Sequence, residues 1–213
     1  MSRPTRWSLI DAVRAGEESA QRDFVARYRP AVQRYLERRG VGAEAEDLAQ
    51  EVFVQLLVKG ALERVAREKG SFRSFLFALT RNVLGHFLAK RGAQKRGGDA
   101  EVVALGEHDP EVAEERAAFD REWLIYLIEL AMARLQRSHE NYFLALRGFL
   151  FQQQSQAELA AQLGVGEQDV RNHVHRGKKK LIAYLREEVA RYEHEPARHE
   201  TEVELLSRLL DPQ

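Results

Sequence analysis

A cluster of cations lies near the end of the chain, in the segment SQAELAAQLGVGEQDVRNHVHRGKKKLIAYL at 155–185. From Glu167 to Arg186 there are six lysines and arginines and two acids, in a chain that carries 33 of each kind overall. Lysine and arginine side chains bind phosphate, so a neutral chain that collects cations on one segment indicates a nucleic-acid surface. The alternative is an ordinary helical hairpin with a solvated basic face.

The pattern of this segment predicts a helix-turn-helix. Ser155 and Glu158 have the S-x-x-E spacing of a capping box, which begins a helix. Gly164 ends that helix, because glycine adopts a left-handed backbone without penalty. A second helix then begins near Glu167, and Val170 serves as its apolar anchor. The cations lie largely on the outward face of this second helix.

A second cationic segment, FRSFLFALTRNVLGHFLAKR, follows Ser71. Helical spacing separates its apolar residues from a polar face. Aromatic rings beside cations are suited to holding unstacked bases and their phosphates, although the same rings also supply a core. The polar face consists of Arg73, Arg81, Asn82, His86, Lys90 and Arg91.

Acids crowd the start of an earlier predicted helix, from about Ala43 to Val58. Acidic side chains there stabilise the helix dipole. Four acids within eight residues also suit a docking face for a basic partner, and composition leaves both interpretations open. The acids are Glu44, Glu46, Asp47 and Glu51.

Helical periodicity extends over nearly the whole chain, without a convincing alternating strand. Pro30 predicts a kink or a break in the second helix. Between Asp99 and Glu115 there are seven acids and no lysine or arginine, which is typical of a linker. We therefore predict an all-α protein of two helical domains joined by an acidic linker. The predicted boundaries are 5–92, a linker at 93–112, 113–189, and an acidic extension at 190–213.

Several classes of function are disfavoured by composition. The chain has no cysteine and a formal net charge of zero. It has no run of 18 apolar residues and no signal-like start, so we expect a soluble cytoplasmic protein without a membrane span. No glycine-rich phosphate loop, nucleophile motif or metal-ligand pair is found. We therefore expect no enzyme, no cofactor and no metal.

The order of these motifs resembles bacterial RNA polymerase sigma factors of the extracytoplasmic-function (ECF) kind, within the sigma-70 family. The resemblance rests on AEAEDLAQEVFVQLL, FRSFLFALTRNVLGHFLAKR and the helix-turn-helix, in that order. Within that family the chain is most similar to a planctomycete-like subset. This similarity lies in the segments TRWSLIDAVRAG, QKRGG and FDREWLIYLIELAMARL. It implies a region 2 bundle and a region 4 helix-turn-helix.

The resemblance also implies roles for the charged surfaces. The acidic helix would bind the β′ clamp of core polymerase, region 4 the β flap, and the acidic linker would thread the RNA exit channel. The polar face at 73–91 would melt and read the minus-ten element of promoter DNA. The last helix would read the minus-thirty-five element. The core-binding residues would be Glu44, Glu46, Asp47, Gln50 and Glu51. The DNA-binding residues of the last helix would be Gln168, Arg171, Asn172, His175, Arg176, Lys178, Lys179 and Lys180.

Some features depart from the family or stay open. His86 and Ala89 stand where many relatives have Asp and Arg, so no promoter sequence is inferred. Relatives of this subset tend to occur with Ser/Thr kinases, so an anti-sigma factor or such a kinase is a candidate regulator. The acidic tail either masks the basic helix or packs on the last domain. We expect a monomer when free. The alternative function is a stand-alone helix-turn-helix regulator whose amino-terminal bundle senses a ligand or dimerises.

Overall fold

The computed structural model describes residues 7–64, 72–96, 110–190 and 199–204. Over these ranges the chain forms helices and turns and no strand, so the all-α prediction is confirmed. The helices are α1 (Trp7–Arg14), α2 (Glu18–Arg38), α3 (Ala45–Leu57), α4 (Phe72–Arg96), α5 (Pro110–Ser138), α6 (Glu140–Phe151), α7 (Gln156–Leu163) and α8 (Glu167–Val189). Short 3-10 turns lie at Gly42–Glu44 and Ala61–Arg64.

None of the helices in the described ranges combines the length and the hydropathy that a bilayer crossing requires. Of the predicted linker, 93–96 continue α4 and 110–112 begin α5, while 97–109 lie outside the described residues.

Pro30 lies inside α2, which continues without interruption to Arg38. The predicted alternative of two separate helices at this position is therefore wrong. A proline costs one backbone hydrogen bond within a helix. That loss is offset here because the helix buries residues on both sides of Pro30, including Phe24, Tyr28, Val32 and Leu36.

The chain divides into two compact units, Met1–Trp123 and Leu124–Gln213. Unit 1 has an aromatic core. The ring of Phe24 packs edge-on against Phe53 and Phe72, with centroids 6.1 and 5.4 Å away. Phe119 and Trp123, from the first part of α5, also belong to this core and are almost fully buried. The sequence-based boundary at 113 therefore lies about ten residues before the division in the structure.

Unit 2 contains the rest of α5 together with α6, α7 and α8. Its core is aliphatic and includes the fully buried Leu135, Leu146, Leu159 and Leu181. α8 packs closely on α6 at Gly177, where an added Cβ atom would lie 3.1 Å from the backbone oxygen of Tyr142. A side chain at 177 would require a shift of a few tenths of an ångström, so this glycine allows α8 to approach α6 closely.

The helix-turn-helix forms as the sequence predicts. The backbone N–H of Ser155 donates to Glu158 Oε2 at 2.7 Å, and the N–H of Glu158 donates to Ser155 Oγ at 3.3 Å. The Ser155 hydroxyl also donates to Glu158 Oε2 at 2.7 Å. This bond, together with the one from the Ser155 backbone N–H, lowers the pKa of the Glu158 carboxyl below its usual value. Gly164 adopts the left-handed conformation (φ 66°, ψ 33°) that ends α7. α8 begins three residues later, and its residue Val170 is fully buried, as the sequence predicts for the apolar anchor.

Candidate nucleic-acid and polymerase interfaces

α8 buries one face and exposes a polar, cationic one. The buried face includes Val170, Gly177 and Leu181. Most residues between these positions are exposed to solvent. Of the eight DNA-binding residues predicted on this helix, only Lys178 is half-buried. The exposed ones are Gln168, Arg171, Asn172, His175, Arg176, Lys179 and Lys180. The helix therefore presents seven of the eight side chains along its outer face.

Arg171 is held by both helices of the motif. Its Nη1 donates to Oε1 of Gln156, on α7, at 2.7 Å. Its Nε and Nη2 both donate to Oε1 of Gln168, at 3.1 and 2.6 Å. A carboxylate oxygen of Glu167 lies 4.0 Å from Nη1. Gln156 was missed by the sequence analysis, because a contact between residues 15 positions apart leaves no local pattern.

The described part of the tail contacts the carboxyl end of α8. A ring nitrogen of His199 lies 3.2 Å from the backbone oxygen of Arg186, and Arg186 forms an ion pair with Glu200 at 3.4 Å. Glu202 and Val203 are buried there. Arg186 lies six residues beyond Lys180, or about 9 Å along the helix. Residues 199–204 thus pack on the last unit at that end, while 205–213 lie outside the described residues.

The predicted DNA face of α4 separates into two groups. Asn82, His86, Lys90 and Arg91 are exposed. Asn82, His86 and Lys90 follow one another at intervals of four residues, so they form a stripe along one side of the helix. This stripe is the part of α4 that an outside molecule can reach.

Arg73 and Arg81, by contrast, face α5. Arg73 Nε lies 3.2 Å from a carboxylate oxygen of Asp120, and Arg81 Nε donates to Glu115 at 2.8 Å. The other carboxylate oxygen of Glu115 accepts from Arg39, at 2.5 Å. These ion pairs connect the first part of α5 to α4 and to the carboxyl end of α2. They involve two of the six α4 residues that the sequence assigns to DNA binding.

The aromatic residues of α4 belong mainly to the core. Phe72 and Phe77 are buried, and Phe75 and Phe87 are half-buried. Leu88 is 47% exposed, although its spacing predicts an inward position. It lies on α4 beside the cations at 90 and 91, so it adds an apolar contact to the exposed face.

The acidic residues of α3 also differ in their surroundings. Glu51 accepts from Lys59 at 2.8 Å and from Gln55 at 3.0 Å, and these two hydrogen bonds lower its pKa. Glu46 accepts from Arg29 of α2 at 2.9 Å. The remaining three predicted residues are exposed. Glu44 lies in the 3-10 turn before α3, and Asp47 and Gln50 lie in the first two turns of α3.

A shallow groove of about 790 Å³ lies between α2 and α3, and Glu46 is the α3 acid among its lining residues. Val25, Pro30 and Leu57 supply apolar lining, and the Arg29–Glu46 ion pair forms part of its wall. An open apolar groove with charged walls is suited to binding a segment of another protein. A small ligand would need a more enclosed cavity.

Comparison with protein families agrees with this part of the fold. Residues 24–94, from α2 to the end of α4, match the family model of Sigma-70 region 2. The match covers about a third of the chain. No curated protein matches the chain.

Residues 24–94 are therefore similar to sigma region 2, which in sigma factors binds RNA polymerase and melts promoter DNA. The match supports a sigma factor of the sigma-70 family, that is, a transcription factor that binds DNA. The sequence-based prediction is confirmed to this level.

Proposed function

We propose that this chain is a sigma factor of the ECF kind that directs core RNA polymerase to promoters through both of its units. The observation that carries the proposal is the combination in one chain of the region 2 match at 24–94 and a helix-turn-helix with an exposed cationic helix. Either feature alone fits many transcription proteins. Their order along the chain is the order of regions 2 and 4 in sigma factors.

In this proposal the exposed residues of α3 bind the β′ clamp of core polymerase. Glu44, Asp47 and Gln50 contribute most, because Glu46 and Glu51 already have cationic partners within unit 1. The groove between α2 and α3, which Glu46 lines, extends the contact with apolar surface. Unit 2 binds the β flap.

DNA is bound by α4 and α8. The stripe of Asn82, His86 and Lys90, continued by Arg91, reads and melts the minus-ten element. Arg73 and Arg81 act mainly by holding α5, because their guanidinium groups are already paired with carboxylates. The outer face of α8 reads the minus-thirty-five element, with Arg176 and the lysines at 178–180 on phosphates.

The remaining assignments follow the family resemblance. The chain acts in the cytoplasm as a monomer until it joins core polymerase, and it belongs to the planctomycete-like subset. The acidic segment between α4 and α5 occupies the RNA exit channel. An anti-sigma factor or a Ser/Thr kinase regulates its activity.

Run-off transcription tests the proposal. Purified chain is mixed with core polymerase and genomic templates, and the transcripts are mapped. We expect transcripts with defined start points that depend on the added chain. If the chain neither joins core polymerase nor starts RNA at a defined site, the proposal is wrong. A footprint on DNA by the chain alone, as a dimer on two half-sites, would instead identify a stand-alone helix-turn-helix regulator.

A further inference from the structure

The guanidinium group of Arg171 lies between two glutamines, one on each helix of the helix-turn-helix. Gln156 lies in the first turn of α7, and Gln168 lies in the first turn of α8. Together they accept three hydrogen bonds from Arg171, at 2.7, 3.1 and 2.6 Å. An exposed arginine normally samples many rotamers, and binding a ligand in one of them costs conformational entropy. Here that freedom is reduced before any ligand binds.

These bonds also fix the orientation of both amides. A guanidinium group can only donate hydrogen bonds, so the oxygen of each amide faces Arg171 and its NH₂ group faces away. Both glutamines therefore present donors to the surroundings of Arg171. A carboxylate oxygen of Glu167, in the first turn of α8, lies 4.0 Å from Arg171 Nη1.

The donors left on Arg171 define what it can bind. A guanidinium group has five N–H donors. The three bonds use Nε–H, one N–H of Nη1 and one N–H of Nη2, which leaves one donor on each terminal nitrogen. The major-groove edge of guanine offers two adjacent acceptors, O6 and N7, whereas adenine and cytosine present a donor there.

We propose that Gln156 and Gln168 are positioning residues that orient Arg171 toward a guanine in the DNA bound by α8. Gln156 lies on α7 and not on α8, the helix that reads the base. By fixing the guanidinium group relative to α7, it determines base specificity without contacting the base. This inference rests on the proposed function, because it requires that α8 binds promoter DNA.

The test uses the full chain in holoenzyme, on a promoter identified by run-off transcription. Each base pair of the upstream element is replaced in turn, and binding is compared for wild type, Gln156→Ala, Arg171→Ala and the double variant. Gln162→Ala is the matched control, since it removes an exposed glutamine from the same helix whose side chain contacts Gln154 instead.

We expect Arg171→Ala to lower discrimination at one G·C pair by about tenfold or more. Gln156→Ala should lower discrimination at that same pair by about threefold or more, because a fixed donor becomes mobile. In the Arg171→Ala background, Gln156→Ala should have no further effect. Binding to unrelated DNA and its salt dependence should not change in Gln156→Ala.

Three results would overturn the inference while leaving the proposed function intact. Gln156→Ala could discriminate like wild type, or weaken binding equally at every base pair, or retain its effect after Arg171 is removed. If the wild-type chain starts no transcript at all, the proposed function fails, and the inference that depends on it fails as well.

Discussion

The indole ring of Trp123 stacks on the phenol ring of Tyr28, with centroids 5.6 Å apart and planes 7° from parallel. Tyr28 lies in the middle of α2, whereas Trp123 belongs to the helix that follows the acidic segment. Phe119, one turn earlier, packs against Tyr35 with centroids 5.3 Å apart. The first part of α5 is therefore an integral part of unit 1, and the region 2 bundle is completed by residues outside the matched range of 24–94.

Trp123→Ala should destabilise unit 1 by about 3–5 kcal/mol, because it leaves a cavity beside the rings of Tyr28 and Phe119. The control is Arg121→Ala, an exposed change on the same helix, which should stay within about 0.5 kcal/mol of wild type. Urea unfolding followed by circular dichroism measures both. Equal stability of the two variants would show that Trp123 is not part of the core.

Tyr35→Phe should leave stability at pH 7 unchanged or raise it by up to about 1 kcal/mol. The hydroxyl of Tyr35 is buried without a hydrogen-bond partner among the described residues, so its removal eliminates a desolvation cost. Tyr184→Phe is the contrasting variant. The Tyr184 hydroxyl lies 3.0 Å from Ser138 Oγ, and its loss should cost about 0.5–1.5 kcal/mol.

Tyr35 should also contribute to alkaline unfolding. Burial raises its pKa from 10.0 to about 12. The folded protein keeps the Tyr35 proton at a pH where the unfolded chain has released it, so stability falls as pH rises from 10 to about 12. Over that range the stability advantage of Tyr35→Phe over wild type should grow by roughly 2–3 kcal/mol. Urea titrations at pH 9 and pH 11.5 measure this, and a constant difference would contradict it.

Local patterns in the sequence predicted local structure well. The capping box requires only Ser155 and Glu158, three residues apart, and the end of α7 requires only Gly164. The periodicity after the linker predicts a long helix from about Val112 to Arg137, and α5 extends from Pro110 to Ser138. The segregation of cations onto the outer face of α8 also follows from spacing along a single helix.

Contacts between distant residues could not be predicted in this way. Arg81 is paired with Glu115, 34 positions away, and the sequence shows Arg81 only as one more cation on a polar face. Leu159 was not singled out beside its alanine neighbours, yet it is the buried residue of α7. The prediction of a break at Pro30 was wrong, because α2 is stabilised by residues that are buried on both sides of the proline.

Asp47→Lys should weaken binding to core polymerase by at least tenfold without changing the stability of the fold. Asp47 is exposed on α3, so the change reverses a charge on the proposed contact without breaking a packed core. Asp23→Lys makes the same change of charge at an exposed position on α2 and should bind core normally. Affinity is measured by fluorescence anisotropy with labelled chain. Equal weakening by both variants would indicate a general charge effect instead of a docking surface.

Lys179→Ala combined with Lys180→Ala should lower the salt dependence of promoter binding by the holoenzyme. Both side chains are exposed on α8, whereas Lys178 is half-buried and is left unchanged. Each lost phosphate contact reduces the slope of log K against log salt by about 0.9, so the pair should reduce it by about 2.

The matched control for the lysine pair is Arg137→Ala with Arg147→Ala, which removes the same charge from exposed positions on α5 and α6. Phosphate contacts do not depend on sequence, so the lysine variant should weaken binding to every promoter by a similar factor. A loss confined to one promoter would assign these lysines to base recognition. If the slope of log K against log salt is the same for the lysine variant and the control, a general loss of positive charge accounts for the whole effect. These lysines would then not be part of the DNA interface.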